Sequence, residues 1–212
     1  MQLNQYLLGY FLLVGNSSSC IIIDWNYGSL CLDYGLDDQI IIPTQSDLGY
    51  IRPGVCFDIA ITFDREVEAP SNIEIPVYAN YKNDSILTVF IDIDLWIPAI
   101  DIIKGQEMIT DQQNHNYSYK NRINERKLMG YVTATGQAIL ICDTDMIRMC
   151  ESNIDYNNSQ ITVPPDGETI GFRVGVIADI KPKLDDREFP VYGEYEGDLL
   201  KRITIEITDS NL

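Results

Sequence analysis

The sequence contains a single histidine, His115, and no pair of cysteines spaced as Cys-x-x-Cys. A structural zinc site would therefore need nearly all of its ligands from five scattered cysteines, and a cysteine nucleophile would depend on His115 for activation. The chain also has no glycine-rich phosphate-binding loop and no Gly-x-Ser-x-Gly motif. These absences predict a protein that is not an enzyme and holds neither a metal ion nor a cofactor.

Long apolar runs are missing as well. No stretch of the chain approaches the ~20 apolar residues that cross a bilayer. The apolar run at residues 6–14 is not preceded by the lysine or arginine of a signal peptide. Five cysteines, an odd number, fit small core side chains in a reducing compartment. We therefore expect a cytoplasmic protein that does not associate with membranes.

Positive charge is scarce. The net charge is -17, and residues 1–97 hold 13 acidic side chains against the three cations Arg52, Arg65 and Lys82. Such a charge disfavours nucleic acid and attracts basic proteins, although it also serves solubility. Because residues 1–97 offer so few cations, we expect their carboxylates not to be paired within the protein.

The two halves of the chain contain matching segments in the same order. Gly9-Tyr10 and Gly15 match Gly130-Tyr131 and Gly136, and these glycines are predicted to lie at strand ends and in hairpin turns. The further matches, in chain order, pair residues 21–24 with 140–143, 39–43 with 160–164, 57–61 with 172–176, 76–84 with 190–198, and 89–93 with 203–207. The collinear order predicts an internal duplication.

The periodicity of the matched segments predicts their secondary structure. Apolar residues recur at every second position in residues 89–94 and 203–208, which is typical of strands with one buried face. We therefore predict an all-β protein with two tandem, homologous β-sandwich-like lobes, residues 1–96 and 127–212. A mostly irregular linker, residues 97–126, is predicted to join them.

The same alternation predicts which side chains face the core. Ile91 and Ile205 are expected to be buried, and Asp92 and Glu206 to be exposed. On the first copy of the Pro-Val-Tyr-x-x-Tyr motif, Tyr78 lies on the strand face opposite Val77. Such an outward tyrosine can anchor a protein interface, or it can pack under the linker.

These considerations select five residues as a candidate interface with a partner. They lie on the outer faces of matched strands and combine aromatic, amide and carboxylate groups: Tyr78, Asn80, Asp92, Asp94 and Tyr192.

The second half carries a pattern that resembles a family. Gly130, Gly136 and Asp143 are followed by Phe172-x-Val174-x-Val176 and by Phe-Pro-Val-Tyr-x-x-Tyr at residues 189–195. In the first copy, Ile75 replaces the leading phenylalanine. This order is similar to that of uncharacterised β-rich bacterial proteins, some of which are candidate immunity proteins beside polymorphic toxins. The resemblance implies no catalytic residue.

Taken together, these features favour an acidic, non-enzymatic protein that binds and inhibits a basic partner, such as a toxin or a nucleic-acid-binding protein. The alternative is a structural or adaptor subunit of a larger assembly. A third possibility, a hydrolase with carboxylate chemistry, depends on acidic pairs such as Asp143 and Asp145 facing one cleft, which a sequence does not reveal.

Overall fold

A computed structural model of the chain describes residues 4–15, 17, 19–26, 29–30, 49–50, 59–63, 71–82, 84–99, 102–103, 123–134, 138–146, 149–150, 159–163, 170–180 and 187–207. As predicted, the fold is all-β. The strands are β1 (Asn4–Leu13), β2 (Ser19–Asn26), β3 (Ser29–Leu30), β4 (Gly49–Tyr50), β5 (Ile59–Thr62), β6 (Ile73–Lys82), β7 (Ser85–Asp92), β8 (Ile97–Pro98), β9 (Ile102–Ile103), β10 (Glu125–Ala134), β11 (Ala138–Asp143), β12 (Gln160–Val163), β13 (Ile170–Asp179), β14 (Arg187–Glu196) and β15 (Leu199–Glu206). Short 3-10 segments at Ile93–Leu95 and Thr144–Met146 follow β7 and β11.

The described strands form two antiparallel sheets. Sheet 1 has seven strands, in the order β1-β6-β7-β15-β14-β10, and β8 also pairs with β6. Sheet 2 has eight strands, in the order β12-β13-β11-β2-β5-β4, with β3 added beside β2 and β9 beside β13. The outermost long strands of sheet 1 are therefore β1 and β10.

The two sheets bury a common core between their inner faces. Sheet 1 contributes side chains such as Val77 and Ile91, and sheet 2 contributes Ile22 and Ile141. A second cluster, which includes Ile21, covers the other face of sheet 2. Because both faces of its central strands are covered, β2 and β11 are continuous apolar runs rather than alternating ones.

Both sheets draw strands from the two halves of the chain. In sheet 1, β7 pairs with β15, and in sheet 2, β2 pairs with β11. The predicted lobes, residues 1–96 and 127–212, are therefore not two separate sandwiches. Each half alone would leave an apolar strand unpaired at a sheet edge, and the other half supplies its neighbour.

Hairpin turns are predicted at Gly15 and Gly136, and Gly136 lies outside the described residues. The strands before them, β1 and β10, belong to sheet 1, whereas β2 and β11 after them belong to sheet 2. Each connection therefore crosses between sheets instead of closing a hairpin. Of the predicted linker, β8 and β9 pair with β6 and β13, while His115 lies outside the described residues.

Matched segments of the two halves form matching ladders. Leu7 lies opposite Tyr78 and Leu128 lies opposite Tyr192, and a bulge follows at the next residue of β1 and of β10. This is the arrangement that an internal duplication predicts, and the duplication itself stays a prediction from the sequence.

Sheet 2 shows one difference from the sequence match. The matched residues Ile22 and Ile141 lie opposite Ile59 and Val176, respectively. In the sheet, Ile59 therefore takes the position equivalent to that of Val176. The sequence match instead pairs Ile59 with Val174, which lies two residues earlier. Because successive side chains of a strand alternate between its two faces, a register shift of two residues leaves each side chain on the same face of the sheet.

Candidate functional site

An aromatic and apolar row crosses the outer face of sheet 1, which is the face opposite the core. The cross-strand register aligns six side chains, one from each strand of the order β1-β6-β7-β15-β14-β10. We call these side chains the apolar row: Leu7, Tyr78, Phe90, Thr204, Tyr192 and Leu128. The rings of Tyr78 and Phe90 are stacked with centroids 5.3 Å apart. Leu128 is exposed at one end of the row.

Beside the apolar row lies a ladder of alternating charges, the charged row, formed by Asp92, Arg202, Glu194 and Arg126. Arg202 Nη2 lies 2.9 Å from Asp92 Oδ2, and its Nη1 lies 3.8 Å from Glu194 Oε2. Arg126 Nη2 lies 2.6 Å from an oxygen of Glu206. Each carboxylate of this row thus faces a guanidinium on the neighbouring strand.

The structure corrects the prediction for Asp92. Its side chain points away from the core, as the alternation requires, but it is only 1% exposed. Burial raises the pKa of Asp92, and the Arg202 guanidinium beside it opposes that rise. Asp94 is paired as well, since Lys201 Nζ donates to its Oδ1 over 2.7 Å.

The expectation that the carboxylates of residues 1–97 stay unpaired is therefore wrong for both of these aspartates. Their partners, Arg202 and Lys201, lie on β15, more than a hundred residues further along the chain. The prediction counted only the cations of the first half, whereas β15 lies directly beside β7 in sheet 1.

The two tyrosines of the predicted interface lie on the outer face, and their surroundings differ. The guanidinium carbon of Arg126 lies 3.8 Å from the ring centroid of Tyr192 and covers that ring. Tyr78 stacks on Phe90 instead, and Arg202 lies 4.9 Å from the Phe90 centroid. Both tyrosines are half-buried.

The fifth predicted residue, Asn80, belongs to an almost uncharged row on the other side of the apolar row. This row consists of four residues that lie opposite one another on neighbouring strands: Gln5, Asn80, Thr88 and Glu206. In the other half of the sheet, the equivalent positions are those of the charged row, in the order Arg126, Glu194, Arg202 and Asp92. Four of the five predicted residues therefore share the outer face of sheet 1, and Asp94 lies in the 3-10 segment that follows β7. They are divided between a charged side and an amide-rich side.

A buried ion pair, which sequence reasoning missed, joins the two sheets. Arg173 on β13 donates from Nε to Oε1 of Glu74 on β6 over 3.0 Å, and its Nη2 bonds the other carboxylate oxygen. Glu74 is completely buried, and Arg173 is nearly so. The guanidinium also stacks 4.0 Å from the centroid of Tyr10. The only sequence signal was an arginine within an apolar strand.

A side-chain amide closes the edge of β1 next to this pair. Gln160 Oε1 accepts a hydrogen bond from Tyr10 N over 2.7 Å, and its Nε2 donates to Tyr10 O over 2.8 Å. Gly9 makes this approach possible, because a Cβ there would lie 2.5 Å from Gln160 Oε1. The cluster is fully engaged in holding the sheets together, so we assign it a structural role.

A second buried carboxylate lies at the end of β11. Asp143 accepts hydrogen bonds from Ser17 Oγ at 2.8 Å, Asp145 N at 3.1 Å and Val14 N at 3.3 Å. Burial raises the pKa of Asp143 and outweighs these hydrogen bonds, which lower it. Asp145 is exposed whereas Asp143 is buried, so the two carboxylates of this acidic pair lie in different surroundings.

Replacement of Asp143 by asparagine should change how stability depends on pH. A carboxyl whose pKa is higher in the folded than in the unfolded state favours folding most below the unfolded value, about 3.9. That contribution falls as the pH rises through the folded pKa. The stability of the parent relative to Asp143→Asn should therefore decrease as the pH rises above about 4. Urea denaturation across this range measures it.

The matched control for this experiment is Asp145→Asn. It removes a neighbouring exposed carboxylate but leaves the main-chain donor of Asp145 in place. Because the charge of Asp145 is the smallest of the causes that act on the pKa of Asp143, this variant should keep most of the pH dependence of the parent. Parallel profiles for all three proteins would contradict the assignment of the raised pKa to Asp143.

The cysteines that the structure describes are buried free thiols. Cys20, Cys142 and Cys150 have no exposed surface, and burial raises the pKa of Cys20 and Cys142 well above the ordinary value. Such thiols pack as small apolar groups and are poor nucleophiles. Among the described residues, no three side chains of His, Cys, Asp or Glu converge in a way that would hold a metal ion.

Comparisons with known proteins add no functional assignment. No family model matches the chain, and no curated protein or solved structure matches it either. In the part of the chain that the structure describes, there is no helix with the length and apolar character needed to span a membrane.

Proposed function

We propose that this protein is a non-enzymatic binding protein that engages a basic protein partner through the outer face of sheet 1. The observation that carries the proposal is the apolar row, which runs across all six principal strands of the sheet with the charged row along its side. Protein interfaces commonly combine an aromatic centre with a polar rim, and tyrosine and arginine are frequent anchors there.

The carboxylates of this face do not supply the attraction to a basic partner by themselves. Asp92, Asp94 and Glu194 each lie beside a cation of β15 or β10, so the local charge is nearly balanced. Attraction over longer distances comes from the net charge of -17 on the whole chain. In this proposal the overall charge speeds encounter, while the apolar row provides the contact that lasts.

An inhibitor of a basic toxin or of a nucleic-acid-binding protein fits this division of roles. The competing proposal is an adaptor subunit, which would use the same face permanently within a larger assembly. An adaptor would be recovered with several proteins in fixed proportions, whereas an inhibitor would be recovered with one dominant basic partner.

The experiment compares the parent with a Tyr78→Ala/Tyr192→Ala variant as bait in lysate of the native organism. After the captured protein has been identified and purified, its dissociation constant is measured for each form. We expect affinity to fall at least about tenfold in the double variant, since interface tyrosines are often worth more than 1.4 kcal/mol.

The control variant is Leu199→Ala, which removes an exposed leucine at the end of the β14–β15 hairpin, away from the apolar row. It should bind like the parent. Melting temperatures establish that each variant is folded. Equal affinity of a folded double variant and the parent would refute the proposed face, and recovery of a fixed multi-protein complex would favour the adaptor.

A further inference from the structure

The two outermost long strands of sheet 1 begin in the same way. Residues 4–7 of β1 and 125–128 of β10 each precede the bulge, and each pairs with its neighbour in the same register. Tyr6 and Lys127 occupy corresponding positions. Tyr6 packs edge-on against Tyr81 with centroids 5.5 Å apart, and Lys127 Nζ lies 4.9 Å from the centroid of Tyr195.

The two edges differ in charge. β10 begins with three consecutive charged residues, Glu125, Arg126 and Lys127, and charges of this kind discourage a further strand from adding to a sheet edge. Residues 4–7 of β1 are Asn-Gln-Tyr-Leu and carry no charge. Tyr6 is 51% exposed, although it is aromatic. One edge is thus protected and the other is not.

Among the described strands, none pairs with the outer edge of β1 before the bulge. Beyond it, Gln160 bonds both main-chain groups of Tyr10, which lies opposite Pro76 and turns those groups away from β6. In an antiparallel strand, every second residue directs its main-chain N–H and C=O groups to the same side. Steps of two along β6 lead to Tyr78 and Asn80, so their partners Leu7 and Gln5 also direct N–H and C=O outward.

No other strand in the described part of the chain pairs with this edge of β1. We propose that it pairs with a second copy of this chain, so that β1 of one copy lies antiparallel to β1 of the other across Tyr6. In this register Gln5 of each copy exchanges main-chain hydrogen bonds with Leu7 of the other. Among the registers with twofold symmetry, this one allows both Gln5 and Leu7 of each copy to form main-chain hydrogen bonds.

The absence of charge on this edge allows a second copy to approach it, whereas the charged start of β10 does not. Two chains of net charge -17 repel one another over most of their surfaces, but residues 4–7 bring no like charges together. Pairing β1 with β1 is isologous and closes after two copies, whereas pairing β1 with β10 would continue from copy to copy. The dimer also covers the uncharged edge of sheet 1.

The proposed register makes Tyr6 the closest contact. Residues between the hydrogen-bonded pairs Gln5–Leu7 face each other in a non-hydrogen-bonded pair, with Cα atoms about 4.5 Å apart. That spacing lies within the range of a disulfide. A cysteine at this position should therefore link the two copies, which gives a direct test of the register.

The first experiment incubates Tyr6→Cys with oxidised glutathione. Two thiols form one disulfide and lose their protons, and each glutathione disulfide consumed is reduced to two thiols. We expect a covalent dimer on a non-reducing gel for Tyr6→Cys but not for the parent, whose native cysteines control for background. The matched variant Lys127→Cys, on the protected edge, should stay monomeric on the gel. Failure of Tyr6→Cys to link, or equal linking by Lys127→Cys, would overturn the proposal.

The second experiment measures mass by sedimentation equilibrium. The parent should approach twice the 24.1 kDa of one chain, and Tyr6→Lys should sediment as a folded monomer with a cooperative melting transition. Lys127→Tyr, the reciprocal change, should remain a dimer. Added salt should strengthen the parent dimer because it screens repulsion between the two acidic chains. A monomeric parent, a dimer that survives Tyr6→Lys, or dissociation by salt would each refute this pairing.

Discussion

Replacement of Ile91 by aspartate is expected to leave the protein unfolded. Ile91 is 0% exposed and lies on β7 between Val77 of β6 and Ile203 of β15, at the centre of sheet 1. A carboxylate at this position would have no partner and no water, which costs several kcal/mol, and truncation of the isoleucine adds about 2–5 kcal/mol. The sum approaches the 5–15 kcal/mol by which a typical domain is stable.

Circular dichroism and thermal melting measure this effect. The matched control is Ser85→Asp, which introduces the same charge at an exposed position of the same strand and should melt within a few degrees of the parent. Because β7 pairs with β15, the unfolding should be cooperative and should not spare the second half of the chain. A folded Ile91→Asp, or loss of structure confined to residues 1–96, would contradict this account.

The all-β fold and the buried positions of Ile91 and Ile205 were predictable because they depend on local alternation. A strand turns successive side chains to opposite faces, so apolar residues at every second position identify the face that packs on the core. Both isoleucines are completely buried, which confirms the predicted register of β7 and β15. No information on distant parts of the chain was needed.

The arrangement of the strands was not predictable in the same way. Alternation identifies a strand but not its neighbours, and the pairing of β7 with β15 joins residues more than a hundred positions apart. For this reason the prediction of two lobes could not show that both sheets are shared by the two halves of the chain. The same pairing brings Arg202 to Asp92, so a side chain that correctly points outward is nevertheless buried.

The candidate interface was predictable only as a set of outward positions. Alternation assigns Tyr78 and Tyr192 to the outer face, but it does not show that Arg126 covers one ring while Phe90 supports the other. These differences depend on cross-strand neighbours. Whether the five residues contact a partner stays a prediction.

The buried pair of Glu74 and Arg173 was beyond sequence reasoning because its members lie 99 residues apart and on different sheets. Arg173→Met should destabilise the protein by roughly 3–5 kcal/mol, since it removes the guanidinium that neutralises a completely buried carboxylate. Glu74→Leu should have a similar cost, because it leaves the guanidinium of Arg173 unpaired.

The double variant Glu74→Leu/Arg173→Met should recover most of the stability that either single variant loses. Removal of both charges eliminates the unpaired ion, and apolar side chains of similar size can fill the space between the sheets. The measurement is a double-mutant cycle from urea denaturation of the parent and the three variants, with the interaction energy taken as the departure from additivity. Stacking of Arg173 on Tyr10 is lost in both arginine variants and therefore cancels in that difference. A double variant as unstable as the sum of the two single variants would show that the groups act independently, and the ion pair would then not couple the two sheets.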